Sequence, residues 1–399
     1  MNFTDKIFVF VVCGEKKHID TLHFSLRYLN YFSSLTNIVI TDSTRNEVPV
    51  LHKNVIDIKT PVHFNNHQAS IWLKTSLHNI LPKGHLYCYL DSDIIAVSHN
   101  CDEIFNHFQP PVIFAADHCR MQQFSPYALN CNCSKQFLSD KSKLESNISK
   151  VVNLNTYPPD YTNPNIRQLF STLQQIKDNP LNNILPLIKF LLSFFKTKVH
   201  IKNQVFLHQK KKLWYIGKER FPYPFLFAYR KAINKNTGYK FNLHYLEWVN
   251  PEESKLAKNS CNHLTQAIKS KFNLEITNPN WQHWNGGVFL FNDESHEFIE
   301  TWHRFTMQIF KDKYWKTRDQ GTLIAVAWKF GLQNHPVLPE EFNFIADYYK
   351  WNIQVKPHSN PIEIIKNNKS LKPYFFHIYH EFGNKKWDLW QEITKLQTM

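Results

Sequence analysis

Apolar runs alternate with stretches of helical spacing over the first 117 residues of this 399-residue chain. The runs that predict buried strands are 7–12, 38–41, 55–58, 86–90 and 112–116. Between them, apolar residues three and four positions apart predict helices: Leu22, Leu26 and Leu29, then Leu73, Leu77 and Ile80. Pro82 ends the second helix. This alternation predicts an α/β fold, with a mainly parallel sheet, helices on both faces and a nucleotide-sized crevice at the strand ends.

Two carboxylates, Asp91 and Asp93, follow the apolar run 86–90 and stand one residue apart. They fall at the carboxyl end of the predicted strand, where open α/β sheets bind ligands. Carboxylates this close repel each other unless a cation lies between them, and oxygen ligands suit Mg²⁺ or Mn²⁺. The alternative interpretation is a solvated acidic turn, because Asp-Ser-Asp alone is a short motif.

The alternation breaks down from His118 to about Lys258, where Pro, Asn and Lys are spread among aromatic residues. We therefore expect residues 118–258 to form a largely helical or irregular insertion between two halves of one domain, 1–117 and 259–399. Within it, Leu181–Lys196 reads as a helix with a wide apolar face of Ile184, Leu185, Ile188, Leu191, Leu192 and Phe195. Lysines follow that helix, so it suits an anionic membrane interface, although packing in a core or a dimer contact explains it equally well.

Regular patterning returns after Asn259. The segment Asn285-Gly286-Gly287 precedes an apolar run, and glycines at such a place let a ligand approach the backbone closely. Residues 298–309 carry core-type apolar positions at helical spacing. Asp319 is then predicted to cap a helix over Thr322–Phe330. The segment 375–387 reads as a strand followed by a turn that brings imidazole and ammonium groups together.

The net charge of +14 calls for a polyanionic partner: nucleic acid, an anionic membrane surface or a phosphorylated substrate. The sequence carries no zinc-finger, RNA-recognition or helix-turn-helix signature, which disfavours nucleic acid, and it lacks G-x-G-x-x-G and P-loop motifs. Seven cysteines without a paired framework indicate reduced thiols and a cytoplasmic location. Cys119, Cys131 and Cys133 beside His118 could ligate zinc, although their spacing fits no common zinc site. Neither a signal peptide nor a membrane-spanning run is expected.

Five motifs occur along the chain in this order: Asp-x-Asp after a strand, Asn-Gly-Gly-Val before a strand, Asp-Gln-Gly at the start of a helix, Leu-Pro-x-x-Phe-Asn, and a late His-x-x-Gly-x-x-Lys-Trp. Together they resemble the glycosyltransferases of the GT-A fold, which is Rossmann-like, and most closely the glycogenin and galactosyltransferase group called family 8. The resemblance covers about residues 5–117 and 280–390. It departs from the family where Lys-Pro-Trp lacks its proline, where glycines replace Asn-Ser-Gly or Asn-Ala-Gly, and where His377 competes with His380.

The resemblance implies a metal-dependent transfer of a hexose from a nucleoside diphosphate sugar, a UDP-sugar, to a glycan or lipid-linked glycan acceptor. It implies a Mn²⁺ or Mg²⁺ ion on Asp91, Asp93 and His380. It places Lys386 on the diphosphate and Lys74 near the donor. By the same resemblance the donor sugar also contacts Asp117, Asn285 and Gly286, and the reacting carbon faces Asp319 and Gln320.

The resemblance further implies retention of configuration, with Asp319 or Gln320 stabilising positive charge on the sugar. Inversion would instead need a carboxylate base, either Asp319 or Glu340. Two interpretations from other classes stay open. A sugar-nucleotide pyrophosphorylase also uses acids and a metal, but its Gly-rich loop is missing after the first strand, and an inactive binding module or membrane-attached scaffold would need no metal. The apolar helix and the basic charge also suggest peripheral attachment to the inner face of the membrane.

Overall fold

The computed structural model describes residues 5–137, 139, 164–178, 180–192, 198–208, 210–211, 213–217, 219–222, 240–242, 247–249, 260–350, 353–366 and 369–396. The chain divides into two compact units, one of residues 1–131 with 261–399 and one of residues 132–260. The sequence pattern predicts these boundaries at 117/118 and 258/259. We call the first the main unit and the second the insertion unit.

The strands are, in chain order, β1 (Lys6–Val11), β2 (Thr36–Thr41), β3 (Val55–Asp57), β4 (Leu86–Leu90), β5 (Ile94–Ala96), β6 (Val112–Ala116), β7 (Val199–Lys202), β8 (Val205–His208), β9 (Leu213–Ile216), β10 (Glu219–Pro222), β11 (Lys240–Asn242), β12 (Glu247–Val249), β13 (Trp284–Phe291), β14 (Phe344–Ile345), β15 (Ile353–Val355), β16 (Ile364–Lys366), β17 (Lys369–Leu371) and β18 (Phe375–His377). The α-helices are α1 (Lys16–Phe32), α2 (Asn66–Thr75), α3 (Leu77–Ile80), α4 (Met121–Ala128), α5 (Pro164–Asp178), α6 (Ile184–Leu192), α7 (His263–Phe272), α8 (His296–Ile309), α9 (Arg318–Lys329), α10 (Ala346–Tyr349) and α11 (Asp388–Lys395). Short 3-10 turns are found at 43–45, 99–107, 181–183, 293–295 and 340–342.

A six-stranded sheet in the order β3-β2-β1-β4-β13-β6 organises the main unit. Strands β3, β2, β1 and β4 run parallel to one another, whereas β13 is antiparallel to both β4 and β6. The predicted mainly parallel sheet is therefore confirmed, and the carboxyl ends of β1 and β4 meet at one edge. That edge carries the predicted acidic pair.

Apolar side chains cover both faces of this sheet because successive strand residues point to opposite sides. Phe8 and Phe10 of β1 pack into the same core as Leu22, Leu26 and Leu29 of α1. Val9 and Val11 belong to the opposite core, together with buried residues of α2, α8 and α9. The predicted core face of α8 is confirmed, since Phe298, Trp302, Phe305 and Ile309 are all buried.

A second, three-stranded sheet joins β14, β18 and β5. Strand β18 runs parallel to β14 and antiparallel to β5, and in this register His377 lies opposite Ile94 on one side and opposite Ile345 on the other. Strand β5 begins directly after Asp93, so this pairing brings the C-terminal strand to the acidic turn.

The prediction that Asp319 caps a helix starting at Thr322 was wrong. Helix α9 begins at Arg318, with Thr317 as the preceding N-cap residue, so Asp319 lies in the first helical turn. A carboxylate is favourable there because the free N–H groups make the helix start electropositive. Its side chain instead contacts the Lys74 ammonium.

The insertion unit contains helices α5 and α6, a four-stranded antiparallel sheet in the order β10-β9-β8-β7, and the hairpin β11–β12. The sequence pattern does not reveal this sheet, since its strands are only four residues long. Asn203 and Gln204, both with positive φ, form the tight turn between β7 and β8. The helix predicted over Leu181–Lys196 is observed as a 3-10 turn and then α6, and residues 193–197, including Phe195, lie outside the described residues. Every helix in the described segments is too short or too polar to cross a bilayer.

Candidate active site

The acidic pair lies in the turn between β4 and β5. The Asp91 backbone N–H donates to the carbonyl of Gly287 at 2.8 Å, and the Ile94 N–H donates to the Asp91 carbonyl at 3.1 Å. The turn is thus fixed both to itself and to β13. Both carboxylates are partly buried at the strand edge, as the sequence pattern predicted.

His377 is the histidine that the structure places beside this pair. Its Nε2 atom lies 3.5 Å from Oδ1 of Asp93, and single ligand atoms of Asp91, Asp93 and His377 lie within 4.8 Å of one another. Its Nδ1 atom is 3.0 Å from Oδ1 of Asn343. Because Asn343 Oδ1 can only accept, Nδ1 carries the proton and the Nε2 lone pair faces the acids. Two carboxylates and one oriented imidazole form a ligand set that suits Mn²⁺ or Mg²⁺.

Asp93 is the carboxylate of this set whose negative charge is compensated least by neighbouring protein groups. Its Oδ1 atom is buried and accepts no hydrogen bond from the described residues. Burial raises the pKa of Asp93 to about 6; the nearby Asp91 carboxylate acts in the same direction, whereas His377 opposes the shift. A divalent cation would offset both the missing hydrogen bond and the repulsion. The residues present therefore fit the metal that the motif implies.

Gly287 leaves room for these ligands. A Cβ atom at this position would lie 2.7 Å from Cε1 of His377 and 3.0 Å from Oδ2 of Asp91. The sequence pattern predicts that the glycine pair allows a ligand to approach the backbone closely. The structure shows that Gly287 makes space for the protein's own histidine and carboxylate.

Lys74 links two acids at the wall of the site. Its buried Nζ atom lies 3.3 Å from Oδ1 of Asp91 and 3.3 Å from Oδ2 of Asp319. Burial disfavours the ammonium, but the two carboxylates outweigh that cost and raise the pKa of Lys74. Burial likewise disfavours the Asp319 carboxylate, yet the Lys74 ammonium lowers the pKa of Asp319 overall. Tyr89 completes the cluster by donating its hydroxyl proton to Oδ1 of Asp91 at 2.6 Å.

The predicted sugar-pocket residues Asp117 and Asn285 also contact each other. The Asn285 amide donates to Oδ2 of Asp117 at 3.1 Å, and its Oδ1 atom accepts from the Asn343 amide at 3.2 Å. A hydrogen-bonded chain thus runs from Asp117 through Asn285 and Asn343 to His377. His283 and His118 face the other oxygen of Asp117 and, despite burial, hold the pKa of that carboxyl well below its usual range.

Gln320 is tied to strand β13. Its Oε1 atom accepts from the Gly286 N–H at 2.9 Å, and its Nε2 atom donates to the carbonyl of Trp284. These bonds fix β13 against the start of α9. Asp319 lines the cavity next to the acidic pair, whereas Gln320 is not among the residues that line it.

Neither of the predicted residues His380 and Lys386 is among the residues that line the cavity beside the acidic pair. Both are exposed in the loop after β18, and His380 is not among the ligand atoms grouped with Asp91 and Asp93. The Asp347 carboxylate holds this loop by accepting from the backbone N–H groups of Tyr379, His380 and Glu381 at 2.6–3.2 Å. The strand ends at His377, so His380 falls beyond the β-pairing that orients a side chain toward Asp93.

A cavity of about 380 Å³ opens next to the acidic pair. It is lined by Asp91, Asp93, Lys74 and Asp319, and also by residues that were not predicted from the sequence: Val11, Val12, Cys13, Glu15, His18, Asn66, His67, Ser70 and Ile71. The first five of these lie at the end of β1 and the beginning of α1, and the other four lie on α2. They form no motif, and only their position near the carboxyl ends of parallel strands could have indicated them.

Neither the protein-family models nor the curated proteins gave a match to this sequence. Among solved structures, the chain matches apo WbbM, a bifunctional glycosyltransferase, with 11% identity, a TM-score of 0.42 and coverage of 99% of this chain. It spans 50% of that protein's chain. A second match is galactosyltransferase LgtC in complex with donor and acceptor sugar analogues, at 8% identity, a TM-score of 0.41 and coverage of 98% of this chain and 95% of the other.

A third match is mouse xyloside xylosyltransferase 1 in its apo form, at 10% identity, a TM-score of 0.37 and coverage of 96% and 99% of the two chains. All three matched proteins are glycosyltransferases, the class that the sequence motifs resemble. At these identities and TM-scores the likeness carries no conclusion about the reaction.

Proposed function

We propose that the main unit is a metal-dependent glycosyltransferase that uses a nucleoside diphosphate sugar. The observation that carries this proposal is the Asp91–Asp93–His377 ligand set, whose two carboxylates line the cavity. A cavity of about 380 Å³ lies within the range of ordinary small-molecule sites, about 300–1,000 Å³. Its place at the carboxyl ends of parallel strands is where open α/β sheets bind nucleotides.

Asp91, Asp93 and His377 would hold Mn²⁺ or Mg²⁺, which supplies Lewis-acid stabilisation for the diphosphate leaving group. Neighbouring residues orient these ligands, make space for them and pair with their charges. Lys74 forms an ion pair with Asp91 and lowers the pKa of Asp319, Asn343 keeps the His377 lone pair toward the acids, and Gly287 leaves space for His377 and Asp91. The resemblance to family 8 supports a UDP-sugar as donor and a hexose as the transferred group. Lys386, exposed in the loop after β18, is retained as a proposed diphosphate contact on that resemblance alone.

The ionised form and the ion pair of Asp319 support retention of configuration. Its lowered pKa and its contact with the Lys74 ammonium make it a weak base at neutral pH. Glu340, the other candidate base, forms an ion pair with Lys366 and is not among the residues that line the cavity. We assign to Asp319 the stabilisation of positive charge on the sugar, and to Gln320 the positioning of Gly286 beside it.

The acceptor is proposed to be a glycan presented at an anionic membrane surface, with the enzyme on its cytoplasmic side. The support is the insertion unit, where α6 and the turn before it expose Leu181, Leu185 and Leu191 by 81%, 61% and 63%. Ile184, Ile188 and Leu192 are exposed on the same segment. Lys198, Lys210 and Lys211 of this unit are exposed as well. An apolar helix near cationic side chains suits the headgroup region of an anionic bilayer.

A thermal-shift screen of nucleotide sugars tests the donor assignment. UDP-hexoses should raise the melting temperature in Mn²⁺ but not in EDTA, because ligand binding stabilises only the folded state. Asp93→Asn should abolish the shift. A shift that persists in EDTA or in this variant would contradict the metal-dependent donor site. A pyrophosphorylase would bind these ligands but form a nucleoside triphosphate when pyrophosphate is added, and an inactive module would bind without turnover.

A further inference from the structure

A group of thiols outside the proposed active site brings together two distant parts of the sequence. The Sγ atoms of Cys131 and Cys261 lie 3.8 Å apart, and a ring nitrogen of His263 lies within 4.8 Å of both. All three residues belong to the main unit. Cys131 is the last residue of that unit before the insertion unit, and Cys261 is the first residue after it.

The distance between the two sulfurs excludes a disulfide bond and is compatible with a shared metal ion. A disulfide requires its sulfurs about 2.0 Å apart. Two thiolates on a tetrahedral zinc ion, each about 2.3 Å from the metal, are separated by about 3.8 Å, the edge of the tetrahedron. The observed 3.8 Å matches that edge. Both thiols are partly buried, as in closed structural zinc sites.

The Ser125 hydroxyl is placed to form a hydrogen bond with the Cys261 sulfur. The buried Ser125 hydroxyl lies 3.1 Å from Cys261 Sγ, and its oxygen already accepts the Leu264 N–H at 2.9 Å. The hydroxyl proton is therefore available to the sulfur. Outer-shell donors of this kind orient and stabilise metal-bound thiolates. The Cys261 N–H is itself fixed by the carbonyl of Gln122 at 3.0 Å, and the Gln122 amide donates to Asn262 at 3.0 Å.

We propose that Cys131, Cys261 and His263 bind a structural zinc ion. Two thiolates and an imidazole are soft and borderline ligands that select zinc over Mg²⁺ or Mn²⁺, so this site is chemically distinct from the Asp91–Asp93–His377 set. A water molecule or one further thiol fills the fourth tetrahedral position. The ion ties together, within the main unit, the two chain segments that lead into and out of residues 132–260.

Cobalt(II) titration of the reduced, metal-free protein tests the assignment, because thiolate-bound Co²⁺ shows sulfur-to-metal charge-transfer absorption that an oxygen and nitrogen site cannot give. One equivalent of Co²⁺ should produce this absorption, and Zn²⁺ should displace it. Cys131→Ser, Cys261→Ser and His263→Gln should each weaken or remove it. Cys101→Ala, which alters a buried thiol elsewhere, should leave it unchanged.

Asp93→Asn should also keep the charge-transfer band, so failure of the proposed active-site metal and failure of this site give different results. Absence of the band in the reduced wild-type protein would overturn the zinc assignment. So would an unchanged band in a folded Cys131→Ser, Cys261→Ser double variant, or a Cys131–Cys261 disulfide found in the protein purified without reductant. Metal analysis of the purified chain provides a second readout, with one zinc per chain expected and none contradicting the proposal.

Discussion

The Nε2 atom of His377 lies 3.5 Å from Oδ1 of Asp93. The two residues are far apart in the sequence and meet because β18 pairs with β5, with His377 opposite Ile94. Strand pairing therefore builds the third ligand position of the proposed metal site, and the hydrogen bond to Asn343 orients it. Substitution of either residue should alter the site in a way that can be measured.

Asp93→Asn should stabilise the metal-free protein at pH 7.5. Burial, assisted by the Asp91 carboxylate, raises the pKa of Asp93 to about 6 in the folded state. A carboxyl with a raised pKa binds its proton more tightly when folded, so its ionisation costs stability as pH rises from about 4 to about 6. Relief of that cost should be about 1–3 kcal/mol. Urea denaturation in EDTA should show the gain at pH 7.5 and little of it at pH 4. An equal gain at both pH values would show that ionisation of Asp93 is not its cause.

His377→Ala should weaken Mn²⁺ binding by at least about tenfold, whereas His380→Ala should leave it within about twofold of wild type. The reason is that His377 faces Asp93 and His380 is exposed beyond the strand end. Electron paramagnetic resonance of free Mn²⁺ measures both affinities. The reverse ranking would return the ligand role to His380 and refute the assignment based on strand register.

The sequence alone could not show which of the two histidines, His377 or His380, lies beside Asp93. The β4 run and the two acids could be predicted because an apolar strand and its polar end leave a local pattern. Which histidine faces Asp93 depends on the pairing of β18 with β5, which joins segments that share no local signal. The family motif favoured His380, and the structure places His377 at the acids. The Leu-Pro-x-x-Phe-Asn motif does contain Asn343, but only the folded structure shows that Asn343 is the hydrogen-bond partner of His377.

Gly287→Ala should weaken Mn²⁺ binding by about tenfold and destabilise the fold by about 1–3 kcal/mol. The added methyl group would lie 2.7 Å from Cε1 of His377, so the ring must shift from its position beside Asp93 or the backbone must yield. Gly286→Ala is the matched control, because its nearest neighbour is the Gln320 Oε1 atom at 3.2 Å rather than a proposed ligand. Calorimetric Mn²⁺ titration compares the two variants. Equal affinities would show that Gly287 does not shape the metal site.

Leu191→Glu combined with Leu192→Glu should abolish binding to anionic vesicles while release of nucleotide from the donor persists. Attraction by lysines alone is screened by salt, whereas an inserted apolar face is not, so wild-type binding should fall only partly as salt rises. Leu51→Glu with Val62→Glu adds the same charge at exposed positions of the main unit and serves as control. Sedimentation with vesicles measures binding. Loss of folding in the Leu191 and Leu192 variant, or full retention of binding, would count against the membrane surface.

The cavity beside the acidic pair is a second feature that could be predicted from the sequence only in part. Asp91 and Lys74 were predicted, but His18, Asn66 and Ser70 were not, although they line the same cavity. These residues begin helices or follow their first turns, where polar side chains are common for capping alone. The sheet order brings α1 and α2 beside the end of β4, and that arrangement cannot be read from any single segment.

Mn²⁺-dependent cleavage of the donor tests the proposed metal site most directly. Release of UDP from the UDP-hexose found in the thermal-shift screen should be measured for wild type and Asp93→Asn, each with Mn²⁺ and with EDTA. We predict slow release by wild type in Mn²⁺ alone, and a loss of at least about a hundredfold in EDTA or in Asp93→Asn. Equal release by folded Asp93→Asn, or release that continues undiminished in EDTA, would contradict the proposed metal site and the function built on it.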